Sequence, residues 1–188
     1  TPAPLSPPVA ALWERAAART REIAARLDGF LAVSVRDLSE GRGFSLHGNT
    51  VVAAASTIKL GVLLTLLQHS ERGLLRLGDV TTIRRTAMAG DDGLLSQLGD
   101  GTTTMALHDL MAAMILLSDN TATNLLLDRL GLPAVNEVLR SVGLTQTVLR
   151  RRMLDRAAAL RGLENTTTAD EMLRLLVLVH SGQGAPAA

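Results

Sequence analysis

The sequence predicts an α/β fold of the α+β kind, mainly helical, with an N-terminal strand hairpin from an antiparallel sheet. Three observations predict it. Apolar residues from Ile58 to Leu67 cover nearly every side of a helix, the pattern of a buried central helix. Two β-patterned runs, Phe30 to Asp37 and Phe44 to His47, flank the turn residues Ser39-Glu40-Gly41-Arg42-Gly43, as a hairpin requires. Five further stretches place apolar residues at helical spacing between Ser, Asp, Gly and Pro punctuation, so helices outweigh strands.

In chain order, residues 1–8 are Pro-rich and read as a disordered lead-in. Residues 9–188 read as a single domain. Leu12, Ala16, Ile23 and Leu27 mark a first helix from Val9 to Leu27, which Asp28-Gly29 stops. The hairpin follows. Two strands alone do not make a stable sheet, so they need more strands or a helical layer. Ser56 opens the central helix, which runs to Gln68. Later helices are predicted over Thr104 to Leu117, Thr121 to Leu130, Ala134 to Val142 and Thr166 to His180. Gly131-Leu132-Pro133 is read as a stop, Arg150 to Glu164 as an arginine-rich connection, and Gly182 to Ala188 as a loose tail.

Composition narrows the function. The 188 residues contain one Trp, two Phe and no Tyr, and the net charge is +1. That removes the base-stacking platforms and the basic surface of a nucleic-acid binder. The triplet Arg150-Arg151-Arg152 is the only basic tract, and it reads as a solvated turn or a set of carboxylate partners. There is no cysteine, which excludes disulfides, thiolate metal sites and a cysteine nucleophile. His47, His69, His108 and His180 have no short ligand spacing, so no metal site and no cofactor is expected. No apolar run reaches the length of a membrane span. The chain begins Thr-Pro-Ala-Pro and reads as a processed form or fragment of a longer one.

The most informative residue is Lys59. Of nineteen basic side chains it is the only lysine, and it stands three residues after a hydroxyl in Ser56-Thr57-Ile58-Lys59. Arginine serves for charge and salt bridges but does not give up its proton, whereas a desolvated lysine can. Positions i and i+3 share one helix face, within hydrogen-bonding range. In a first helical turn, unpaired N–H groups also favour negative charge developing at the serine oxygen. The pair therefore reads as a nucleophile and its amine base. The plainer reading is an N-cap serine followed by a lysine reaching for solvent. Ser118-Asp119-Asn120 likewise suits an N-cap for the helix after it. The order Ser-x-x-Lys, then about sixty residues, then Ser-Asp-Asn favours chemistry over capping.

With these motifs the chain resembles the class A β-lactamases, within the penicillin-recognising serine hydrolases. The resemblance also includes the strand pair before Ser56, Leu116 to Leu127, and the Thr-rich segment Asn165 to Met172. It implies a β-lactamase/transpeptidase-like fold and a hydrolase acting on a small-molecule β-lactam or peptidoglycan-like substrate. Ser56 would attack the lactam carbonyl and become acylated, and Lys59 would take or relay its proton. Ser118 would pass a proton to the lactam nitrogen, Asn120 would bind the substrate amide, and Asp119 would hold the turn. The Ser56 N–H would form half of an oxyanion hole. The family also implies a monomer when complete, export to the periplasm or beyond, and a setting in antibiotic resistance.

Two departures modify that expectation. The family's Glu-x-x-Leu-Asn motif, whose glutamate activates the deacylating water, is absent from Leu149 to Glu164. An ungapped comparison sets Arg152 at the glutamate's place, and the deacylation base is left unassigned. A Lys-Thr/Ser-Gly strand is also absent, because there is no second lysine. The expectation is an N-terminal portion of a longer enzyme, whose hairpin exposes an unpaired edge and an uncovered apolar face. The alternatives are a penicillin-binding or esterase-like relative that deacylates slowly, and a non-catalytic binding or sensor domain.

Overall fold

The computed structural model describes residues 7–85, 88–90, 93–98 and 101–182; most of the expected lead-in and nearly all of the expected tail lie outside these. Helix α1 (Pro7–Arg26) begins on prolines, whose fixed φ suits a first helical turn. Strands β1 (Val33–Arg36) and β2 (Gly43–Leu46) then pair antiparallel, Val35 opposite Phe44 and Ser34 opposite Ser45. The alternation assigns the two faces. Phe44 meets Trp13 of α1 edge-on, ring centroids 6.2 Å apart. Ser45 on the other face donates to Asp170 Oδ1 at 2.8 Å, at the start of the last helix. The apolar face expected to lie bare is thus partly covered by α1. The expected open edge is present: among the described residues β1 pairs only with β2.

Strand β3 (Val52–Ala53) leads into a 3-10 turn, Ala55–Ile58, and then α2 (Lys59–Glu71). Next come β4 (Val80–Thr82), a 3-10 turn at Leu94–Gln97, and β5 (Thr104–Ala106). Helices α3 (Leu107–Leu116), α4 (Asn120–Leu130), α5 (Leu132–Ser141) and α6 (Arg156–Leu160) follow, then β6 (Thr166–Thr167) and α7 (Ala169–Ser181). Three sequence expectations are corrected here. Thr104 to Ala106 is a strand, because pairing with β4 outweighs local helical spacing. Pro133 opens α5 instead of ending α4, again at a first-turn position that lacks only a spare N–H. Thr166 and Thr167 pair with β3, and Thr168 caps α7.

Helix α2 is the hub, packed against α3, α4, α5 and α7. Ile58, Val62, Leu66, Leu126, Leu139 and Met114 are fully buried around it. Gly61 sets the α2–α5 distance: a Cβ there would stand 3.1 Å from Leu139 Cδ2, tighter than aliphatic carbons pack. This close packing fixes the helix that begins at Lys59. No helix among the described residues is long and apolar enough to cross a membrane.

Candidate active site

Ser56 sits on the 3-10 turn just before α2, with Ala55 in front of it at φ +45°. A left-handed backbone at an alanine is strained, and such strain gathers where function holds it in place. Ser56 is exposed, so its hydroxyl is open to a ligand. It caps nothing: the cap of α2 is Ile58, with no side-chain cap bond. The plainer reading of Ser56 therefore fails.

Lys59 is 2% exposed. Its Nζ lies 3.3 Å from Ser56 Oγ and 3.0 Å from Ser118 Oγ, and it donates to Ser118 O at 2.6 Å and Asn120 Oδ1 at 2.8 Å. One nitrogen thus stands between two hydroxyls from segments about sixty residues apart, with two carbonyl oxygens orienting it. Asn120 begins α4, while Ser118 adopts φ +55° in the turn before it.

Asp119 serves as the cap that sequence reasoning allowed, and it also ties two segments together. Its Oδ1 accepts from Ala122 N at 2.8 Å and its Oδ2 from Leu95 N at 3.0 Å, with the residue 2% exposed. The structure thus brings Ser56, Lys59, Ser118 and Asn120 together, with Asp119 holding the turn from beneath. Among the described residues no group of three His, Cys, Asp or Glu is placed to hold a metal ion.

The connection from Leu149 to Glu164 folds over this region, held by three asparagines. Asn136 exchanges two bonds with the Leu149 backbone, N–H to Oδ1 and Nδ2 to O, both 2.8 Å. Asn124 does the same with Met153, at 2.9 and 3.1 Å. Asn165 accepts from Arg150 N and Arg151 N, donates to Arg151 O, and its own carbonyl takes Ala54 N. Sequence reasoning missed all three. No local pattern marks them: Asn124 shares its helix face with Asn120, Thr121 and Asp128, so it breaks no apolar stripe.

Two of the three arginines have carboxylate partners, one of the two readings offered for the triplet, while Arg150 donates to Glu164 O and Thr166 Oγ1. Arg151 grips Glu164 at 2.7 and 2.9 Å, and Arg152 meets Asp128 at 2.9 Å. Asp155 caps α6 by accepting from Ala158 N. Both carboxylates of this connection therefore have structural work. The Arg151 bond holds the Glu164 carboxyl below its ordinary value of 4.5, opposed by desolvation and helped by the Asn165 N–H.

A lowered carboxyl pKa adds stability that is complete above the unfolded value and lost as pH falls through the folded one. The melting temperature of Glu164→Gln is therefore expected to lie below wild type at neutral pH. The gap should close below about pH 4 as Glu164 itself protonates. A gap that stays constant from neutral to acid pH would show that the ion pair is not its cause.

The model for the β-lactamase enzyme family matches residues 15–187. β-Lactamase PSE-4 of Pseudomonas aeruginosa is 30% identical over 151 residues, which is 79% of this chain and 51% of that protein. The crystal structure of a β-lactamase from Sphaerobacter thermophilus superposes with a TM-score of 0.84 at 32% identity, covering 92% of this chain and 64% of that one. PBP-A superposes at 0.79 and 26% identity, covering 89% and 62%, and a variant of it has been captured as an acyl-enzyme complex with penicillin G. The chain spans about half the length of the curated relatives it matches. By family and by fold, this chain belongs to the β-lactamases.

Proposed function

We propose that this chain acts as a serine β-lactamase-type hydrolase that opens the β-lactam ring by forming an acyl-enzyme on Ser56. One observation supports the reading above others: a buried lysine nitrogen within hydrogen-bonding distance of two serine hydroxyls, both on exposed residues.

The chemistry follows from that geometry. Ser118 O and Asn120 Oδ1 accept from the Lys59 amine and hold its nitrogen beside both hydroxyls. Ser56 Oγ adds to the lactam carbonyl while Lys59 takes its proton. The Ser56 N–H stabilises the oxyanion. As the C–N bond breaks, the proton passes through Ser118 Oγ to the lactam nitrogen. Asn120, one carbonyl oxygen committed to Lys59, offers its amide to the substrate side chain. The substrate is a β-lactam or a peptidoglycan-like amide, met by a monomer in the periplasm or outside the cell.

Brief exposure of the chain to benzylpenicillin is expected to add the mass of one penicillin. Peptide mapping should place it on Ser56, and Ser56→Ala should take up none. Labelling elsewhere, or no labelling, would overturn the reading. A slowly deacylating, penicillin-binding relative is the second reading, favoured by the structural engagement of Asp155 and Glu164.

A further inference from the structure

We propose that the cavity between β4, α4 and the Leu149 to Glu164 connection is a binding site for a small phosphate monoester, gripped by Arg84, Arg129 and Arg152. Such a site stands whether or not Ser56 is the nucleophile.

The cavity has a volume of about 750 Å³, within the range of pockets that hold small molecules. Asp79 and Arg84 flank β4, Asp128 and Arg129 lie in the last turn of α4, and Arg152 belongs to the connection. Ser56, Lys59, Ser118 and Asn120 are not among the residues that line it. It is therefore separate from the lysine cluster.

Its charge selects the kind of ligand. Three guanidinium groups face two carboxylates, which leaves one positive charge in excess. The carboxylates turn away an extended polyanion, while a single small anion is drawn in. Two of the arginines are already held in place. Arg152 meets Asp128 through Nη1 at 2.9 Å and Nη2 at 3.1 Å, and Arg129 Nη2 reaches Asp79 at 3.4 Å. A guanidinium carries five N–H donors, so each keeps others for a ligand. Arg84 is exposed and has no carboxylate partner among the described residues. A guanidinium without a counterion in an arginine-lined cavity points to an anion that the chain does not supply.

The arrangement favours phosphate over carboxylate. Guanidinium groups carried by three separate segments converge on the cavity from different sides. A phosphate monoester offers three strong acceptor oxygens around a tetrahedral centre, one for each arginine. A carboxylate offers two in one plane, and a single bidentate arginine takes both. The lining also sets the rest of the ligand. Leu107 and Leu125, 2% and 7% exposed, supply apolar surface, which suits a compact organic group on the phosphate.

A phosphate held by Arg129 and Arg152 ties α4 to the connection, so occupancy is expected to raise the melting temperature. The probe is phenyl phosphate, with benzoate as the carboxylate on the same ring. Titration calorimetry of the 188-residue chain at low salt is expected to show a single site for phenyl phosphate. Arg84→Ala and Arg129→Ala should each weaken it by about tenfold or more, the worth of one charge-assisted hydrogen bond. Arg161→Ala removes an exposed arginine outside the cavity and should leave binding unchanged. Benzoate is expected to bind at least about tenfold more weakly. Four results would overturn the proposal: no binding by the wild type, binding that survives both Arg84→Ala and Arg129→Ala, equal weakening by Arg161→Ala, or benzoate binding as well as phenyl phosphate. Arg84 and Arg161 are both exposed, so the comparison between them does not hang on the fold.

Discussion

Lys59→Arg is expected to slow acylation of Ser56 by about 10³-fold, within the range that a positioned general base contributes. The substitution keeps every acceptor around the group and a side chain able to carry positive charge. What it removes is the ability to give up a proton, because a guanidinium stays charged at any pH the protein survives. The site magnifies the difference. Lys59 is 2% exposed, with four oxygens between 2.6 and 3.3 Å of its nitrogen. A planar, bulkier guanidinium must overpack that space, at roughly 1–3 kcal/mol of stability. Time-resolved mass measurement of the penicillin adduct separates the two effects, provided a thermal melt shows the variant folded. Acylation at the wild-type rate would mean that Lys59 serves only as a buried cation, and the amine-base mechanism would fall.

The second large effect is on stability. Asp119→Ala is expected to cost about 3 kcal/mol. An N-cap carboxylate is worth around 1 kcal/mol, and a charged acceptor on a backbone N–H adds roughly 1.5–3 kcal/mol. Both bonds end on this one side chain, Ala122 N at Oδ1 and Leu95 N at Oδ2. Leu95 is fully buried, so its N–H has no ready route to solvent. Asp119→Asn should recover only part of the loss, because the two donors meet different oxygens and in the amide one of those positions becomes an NH₂ facing an N–H. Urea titration gives the free energies. A loss below about 1 kcal/mol would show that water replaces the carboxylate, and that Asp119 is a cap and no more. Ser118 sits strained in the turn that Asp119 holds, so acylation should fall along with stability.

Much of the site was legible because its signals are short-range. Ser56 and Lys59 are separated by less than a helical turn, and Ser118-Asp119-Asn120 sits where one helix gives way to another. The weighing of cap against chemistry resolved differently in the two places. Ser56 caps nothing, while Asp119 caps α4 and supports the site together. Strand β5 was misread as helix because Thr104 to Ala106 carries no local mark of its pairing with β4. The clamps of Asn124, Asn136 and Asn165 were missed for a related reason. Each spans at least thirteen residues, and an asparagine that satisfies a distant backbone resembles any other in sequence.

What the sequence by itself determined is the chemistry available: one hydroxyl with one amine a helical step away, a second hydroxyl downstream, and no cysteine. Periodicity and spacing carry that information because neighbours on a helix meet whatever the rest of the chain does. Only the tertiary structure decided that Ser118 shares the lysine with Ser56, and that Arg152 turns to Asp128. Those placements depend on α4 packing against α2 and on a loop held by the side chains of Asn124, Asn136 and Asn165. No local rule encodes a contact whose partners are brought together only by folding.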